Sequence, residues 1–283
     1  MINPNDYIIE ENIEKFRNFM VSDKTIATAL YGDYSDDMGY EKLMCTSTGT
    51  PRQILSVPSN KFDIENGYVS IVQYLAPSTL VTGLNTCRFA GDCSKVCLAF
   101  QGRLQLHVRE SYTKKTIALY KYTERYLRQL ISEFYVLAVK YAMQNKFVFL
   151  RFDGLSNLPF WMVIDIPKLR QDVKNFLGGY DYTKKPVNDS FVGYDITYSW
   201  NEKSDLQIAS RFDSVAYVLN KKDVKRLLSE YPETFVNGDK TDIRPLDDKK
   251  HVLLSFKGKK TDNDFVMSYD GLVSLLGLEG VTC

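Results

Sequence analysis

Cys87, Cys93 and Cys97 lie within eleven positions of a 283-residue chain that has five cysteines in all. They stand in NTCRFAGDCSKVCLAFQGR, residues 85–103, at the spacing C-x5-C-x3-C. Gly91 gives this loop freedom to turn, and Arg88 and Lys95 add positive charge that favours thiolates. Three thiolates so placed suit a cubane 4Fe-4S iron–sulfur cluster, in which each sulfur holds one iron and the fourth corner is left for a substrate or cofactor. Structural zinc is the alternative, and it asks for a second close pair of ligands that this sequence lacks. Cys45, Cys283, His107 or His251 would have to fold back to complete it. The plainest reading is three separate buried thiols.

Other stretches carry oxygen and nitrogen chemistry. FVNGDKTDIRPLDD gathers Asp239, Asp242, Arg244, Asp247 and Asp248. Such carboxylates hold magnesium or another divalent cation, and with Lys184 and Glu202 they would form a metal-dependent phosphodiesterase site. The structural alternative is a polar turn between a helix and a strand, braced by Arg244 pairing with Asp242 or Asp239. GGYDYTKK sets Tyr180 and Tyr182 near Lys184 and Lys185, where a lysine would favour a phenolate able to attack a phosphodiester. Alternating tyrosines are equally what β-propensity supplies. Residues 103–128 are locally basic, with Arg103, Arg109, Lys114, Lys115, Lys121, Arg125 and Arg128 against Glu110 and Glu124, and with tyrosines interleaved. A helix of this kind tracks a phosphate backbone or touches nucleotide phosphates, or is simply a solvated outer face.

The elements that position these residues follow from periodicity. Residues 8–30 read as one or two amphipathic helices, GDYSDDMGYEK as a polar stretch, and residues 46–67 as loops and short strands, so that 1–67 forms an N-terminal α+β elaboration. From residue 68 a core α/β domain runs to 283, beginning with the buried strand YVSIVQYL. Residues 105–144 keep apolar positions at helical spacing, with a break expected inside so long a run. Strands follow at 147–152, 178–182, 194–200, 214–220 and 251–257. Helical segments lie between some of them, including WMVIDIPKLRQDVKNF, interrupted by Pro167. Alternation of strands and helices predicts a mostly parallel sheet, open or rolled into a partial (β/α) barrel, with ligands at the carboxyl ends of the strands. On that rule Cys87, Cys93 and Cys97 follow the first strand, Asp153, Ser156 and Asn157 the second, Tyr182 and Lys184 the third, and Glu202 the fourth.

Composition limits the functional classes. A hydrophobic content of 44% supports a real core, and 36 basic against 35 acidic side chains leave a net charge of +1, so no global field points to nucleic acid or a membrane. No apolar run is long enough to span a bilayer, and the N-terminus lacks the pattern of a secretion signal, which predicts a cytoplasmic protein. In a reducing compartment clustered thiols bind metal or do redox chemistry more often than they form disulfides.

Several stretches taken in order resemble a family of phage and prophage proteins, the gene product eighty-eight type. They are YLAPSTLVTGLNTCRFAGDCSKVCLAFQGR, RESYTKKTIALY, LRFDGLSNLPFW, YDYTKK, YDITYSWNEKS, VAYVLN and VNGDKTDIRPLDDKKHVLLSFKGK. The resemblance spans about residues 70–270 and implies a phage context, with the host cytoplasm as location and a host or phage protein as a partner class. Ser156 and Asn157 stand where that pattern has an aspartate, and KGKK shortens its basic run. The order of elements also resembles radical S-adenosylmethionine enzymes, in which a three-cysteine loop follows the first strand of a partial barrel. This implies cluster ligation by Cys87, Cys93 and Cys97, cofactor contact by Asp153, Ser156 and Asn157, and an open iron that takes S-adenosylmethionine. The spacing in that superfamily is C-x3-C-x2-C, shorter in both intervals, and FDGLSN replaces its Gly-Gly-Glu-Pro type motif.

The expectation is a phage-encoded iron–sulfur protein, a radical S-adenosylmethionine-like enzyme acting on a nucleotide or nucleic acid. Tyr182, Lys184, Glu202, Asp239 and Asp242 would be its substrate contacts. The rivals are a metal-dependent nuclease or nickase, and a non-catalytic module that binds nucleic acid or a host protein through the basic helix.

Overall fold

The computed structural model describes residues 2–32, 37–46, 49–58, 66–97, 106–257 and 265–278, and the structural statements below concern these. Helix α1 (Ile13–Met20) places Ile13, Phe16 and Met20 on one buried face at helical spacing. Helix α2 (Lys24–Tyr31) starts where the Asp23 carboxylate accepts the Ile26 N–H, and it ends at Gly32. Helix α3 (Asp37–Met44) occupies part of the stretch read as merely polar. Its buried Tyr40 and Met44, one turn apart, are the apolar face that the aspartates obscured.

Strand β1 (Leu55–Ser56) lies antiparallel to β2 (Tyr68–Gln73). The long helical run is split at Tyr122 into α4 (Leu106–Lys121) and α5 (Thr123–Ala142). Then come β3 (Phe147–Arg151), α6 (Ile166–Asp172), β4 (Phe176–Thr183), β5 (Tyr194–Ser199), α7 (Leu206–Ala209) and β6 (Ser214–Leu219). The chain continues with α8 (Lys221–Glu230), β7 (Phe235–Asn237), β8 (His251–Ser255) and α9 (Tyr269–Leu275). Pro167 begins a helix rather than interrupting one. It stands in the first turn of α6, where its missing N–H costs nothing, and Asp165 caps that turn by accepting the Lys168 N–H.

The eight strands form one sheet in the order β1-β2-β3-β4-β5-β6-β8-β7, parallel throughout except for β1. From β2 to β6 each crossover moves one strand along in the same direction, so right-handed connections place the helices on one face. Val148, Leu150 and Phe152 point into the large core on that side, with Leu127, Leu130, Ile131 and Phe134 of α5. The same core takes in Phe16 and Met20 of α1, Ala27 of α2, and Tyr40 and Met44 of α3. By the period of two along a strand, Phe149, Arg151, Tyr180 and Tyr182 face the other way. There the segment after β7 crosses the sheet, packing Ile243 on Phe149 and Tyr180 and setting Asp242 against Arg151. We call this the inner face. Among the described residues no strand pair joins β7 or β8 back to β1 or β2, so the architecture is a mostly parallel sheet and not a closed barrel.

Candidate functional site

The cysteine loop leaves β2 and is tied down at its start. The Thr86 hydroxyl donates to Ala76 O at 2.6 Å, the Cys87 N–H to Asn85 Oδ1 at 2.8 Å, and the Asn157 N–H to Thr86 O at 2.7 Å. Cys93 sits on a 3-10 turn, Gly91–Ser94. Glu202, beyond the end of β5, accepts the Asp92 N–H at 3.0 Å through Oε1. Gly91 is in the left-handed region, with φ at 52°, and a Cβ there would come within 2.0 Å of that same oxygen. Glycine is therefore what lets Glu202 reach the loop. Glu202 does not line the cavity described next and acts on the loop from outside.

Cys87, Cys93 and Cys97 all line one cavity of about 310 Å³ on the inner face, at the carboxyl ends of the parallel strands. Arg151, Asp153, Ser156, Asn157, Tyr182 and Lys184 share its wall, and Asp239 and Asp242 face it from the segment after β7. The strand-end rule brought eight of these residues together, the three cysteines with Asp153, Ser156, Asn157, Tyr182 and Lys184, while Asp239 and Asp242 came from the acidic segment and Arg151 was not singled out. Its signal was an arginine closing the otherwise apolar FVFLR.

Two expectations about charge change. Arg88 points away from the thiols, donating to Asn18 O and Val21 O at 3.0 and 2.6 Å and lying over the Phe19 ring, so it fastens the loop to α1. Lys95 pairs with Asp92 at 2.5 Å. Burial pushes the Cys87 thiol up to about 12, against the opposite pull of hydrogen bonds and of Lys184. Its sulfur donates to Leu155 O at 3.5 Å. Among the described residues no three Cys, His, Asp or Glu side chains stand close enough to share a single ion. Of the outlying ligand candidates, Cys45 contacts Glu41, and His251 meets Tyr217 at the amino end of β8. Neither lines the cavity. Cys283 and the His107 side chain lie outside the described residues.

The loop after β3 is braced from within. Asp153 is buried and accepts from the Ser156 hydroxyl and, at 2.8 Å, from the Leu158 N–H. Asn157 donates to Tyr182 O at 2.9 Å, joining this loop to β4. Asp181, on the helix side of β4, accepts the Asp153 N–H at 2.7 Å and the Tyr194 hydroxyl at 2.9 Å. Burial raises both carboxyls, Asp181 to about 7, with Arg151 pulling Asp181 down and the Asp181 charge pushing Asp153 further up. Sequence reasoning missed Asp181, although an acid inside an apolar parallel strand was there to be noticed in GGYDY.

The acidic segment is internally paired. Asp242 bonds Arg151, whose guanidinium lies 4.8 Å from the Tyr182 ring centre. Arg244 is buried and pairs with Asp247 at 3.0 Å, not with Asp242 or Asp239 as expected. Asp239 meets Lys257 at 3.2 Å and accepts the Ser255 N–H at 3.0 Å. Burial raises the Tyr182 phenol, so the neighbouring lysines do not favour its phenolate. Lys184 stands over the Phe265 ring and Lys185 pairs with Asp189 at 2.9 Å. The Tyr180 hydroxyl shares a 2.7 Å hydrogen bond with Ser70.

The basic helix is largely engaged within the chain. Lys114 pairs with Glu110 at 2.6 Å, Arg125 with Glu41, and Arg128 with Glu124 at 4.0 Å, while Lys121 lies over the Tyr122 ring. Lys115 is buried and donates to Ile54 O at 3.1 Å, and burial lowers its pKa to about 8. It holds the approach to β1, where the Ile54 and Leu55 N–H groups donate to Glu133 of α5. Arg109 lies on α4, and Arg103 lies outside the described residues.

The gene product 88 family matches residues 41–268, which include all eight strands, the three cysteines and both sides of the inner cavity. The chain belongs to the gene product 88 family. The match begins inside α3 and leaves α1 and α2 outside it. No curated protein and no solved structure matches the chain. No helix among the described residues is long and apolar enough to cross a membrane.

Proposed function

We propose that the inner cavity houses an iron–sulfur cluster held by Cys87, Cys93 and Cys97. In this reading the protein is a radical S-adenosylmethionine-like enzyme of phage origin acting on a nucleotide or nucleic acid. The observation that carries the reading is that three cysteines of one loop line a single cavity at the carboxyl ends of a mostly parallel sheet. The donor type is what such a group takes, since a cubane seats each of three cysteine sulfurs on its own iron. Bound there, the cluster would supply one-electron chemistry at an iron left open to a small-molecule ligand.

The chain's own residues would shape that chemistry. Glu202 holds the loop through the Asp92 N–H, and Asn157 locks it against the loop after β3 and against β4. Asp153, Ser156 and Asn157 set the wall along which a cofactor would lie. Lys184 offers an ammonium toward an anionic group in the cavity. The magnesium-dependent nuclease has less support, because Asp239 and Asp242 are already matched by Lys257 and Arg151.

Anaerobic purification followed by iron, zinc and sulfide analysis and an absorption spectrum tests the proposal. The expected result is brown protein with about four irons per chain, lost in Cys93→Ala. Colourless protein, or protein with one zinc and no sulfide, would overturn it.

A further inference from the structure

A second cavity of about 310 Å³ opens on the other side of the same strand ends, between α1, the cysteine loop and the β4–β5 connection. It meets the inner cavity along Asp153, Asn157 and Tyr182. Its construction differs throughout. At the mouth stand the partly exposed rings of Phe19, Phe89 and Trp161, with the ammonium groups of Lys15 and Lys185 beside them. At the floor lie the buried carboxyl of Asp181 and the ring of Tyr194.

The three layers of this cavity restrict what it can take. Flat aromatic faces at a mouth favour a planar ring over an aliphatic chain. The Asp181 oxygens each accept a hydrogen bond, from the Asp153 N–H and the Tyr194 hydroxyl, and a ring edge bearing N–H donors would engage the lone pairs that remain, which a purely apolar ring could not. A free amine would satisfy the floor, yet it would have to pass two lysines. Those lysines suit a phosphate instead: Lys15 is exposed on α1, and Lys185 lies 6.0 Å from the Trp161 ring centre while paired to Asp189. The volume matches a ligand of mononucleotide size.

We infer that this cavity binds a nucleotide, with the base between Trp161 and the phenylalanines, its N–H edge on Asp181 and its phosphate at Lys15 and Lys185. A guanine edge, with adjacent N–H donors, meets a carboxylate best. The base can belong to a free nucleotide or to a single strand, and the chemistry at the cavity is the same. The inference does not depend on the metal centre, since it concerns a different cavity and its test reads binding alone.

The chain has two tryptophans, so Trp200→Phe leaves Trp161 as the one tryptophan, read by excitation to the red of tyrosine absorption. Titrating that variant with guanosine monophosphate is expected to quench Trp161 in a saturable way, more tightly than uridine monophosphate. Ribose 5-phosphate, which carries the phosphate but no base, is expected to give no quenching. Asp181→Asn, which replaces one acceptor oxygen at the floor by an N–H donor, should weaken binding roughly tenfold. Lys15→Ala, an exposed change that leaves the fold intact, should weaken the nucleotide and spare guanosine. A short guanine-containing single strand binding more tightly than the mononucleotide would assign the base to a strand, and the reverse to a free nucleotide. No saturable quenching by mononucleotide or strand would overturn the inference. So would equal binding of ribose 5-phosphate, or affinity unchanged in both Asp181→Asn and Lys15→Ala. Cys93→Ala should leave the titration unchanged, so failure of the metal proposal and failure of this one are separable.

Discussion

The inner and outer cavities sit back to back on the same strand ends and share three side chains, yet they handle buried charge in opposite ways. On the inner face Arg151 and Asp242 meet as an ion pair, so each charge is kept and matched. On the outer side Asp153 and Asp181 lie together with no cation as direct partner, held by N–H and O–H donors, and their carboxyls are pushed toward the neutral form. One face of the sheet thus stores charge and the other suppresses it. Alternation along a strand is what permits this: Asp181 turns to the helix side of β4, whereas the next residue, Tyr182, lies beside Arg151 on the inner face.

The largest expected effect lies on the inner face. Arg151→Met should leave Asp242 buried without its cation and destabilise the fold by about 3–5 kcal/mol, measured by denaturant unfolding. Adding Asp242→Leu should recover much of that loss, and if the double variant is no better than the single one, the pair is not what stabilises the crossing segment. On the outer side the effect depends on pH. The folded chain keeps the Asp181 proton up to about pH 7 while the unfolded chain releases it near 3.8. This contribution is complete below the lower value and is lost as pH rises through the upper one. Asp181→Asn should flatten that slope, a difference on the order of 2–4 kcal/mol across the window. Identical pH profiles for variant and parent would place the raised carboxyl elsewhere. The smallest effect concerns the loop that separates the two cavities. Glu202→Ala removes one acceptor from the Asp92 N–H and should cost about 1 kcal/mol, with faster hydrogen exchange confined to the cysteine loop. Glu202→Gln, which keeps a carbonyl oxygen there, should restore most of the protection.

Much of the scaffold was legible because it depends on local pattern. Apolar runs such as FVFLR and SVAYVL mark buried parallel strands, and the rule that ligands gather at carboxyl ends brings Cys87, Asp153, Tyr182 and Lys184 to one wall. The short strand β7 carried too few residues for a period to show, and α3 hid its two apolar positions among acids. Partner choice was less legible. Arg88 looked like an activator of thiols and instead fastens the loop to α1, and Arg244 chose Asp247. Spacing in sequence says which charges are near, whereas burial and chain direction decide which of them meet.

The sequence by itself determined the class of fold and the clustering of three soft ligands, since both rest on residue type at short separations. Only the tertiary structure decided that Arg151 and Asp242, ninety-one residues apart, form the floor of the inner cavity. It alone decided that Asp181 faces away from that cavity, and that an aromatic mouth built from α1, the cysteine loop and the turn after β3 stands over it. These arrangements depend on long-range packing and on which face each strand residue takes once the crossing segment covers one side of the sheet.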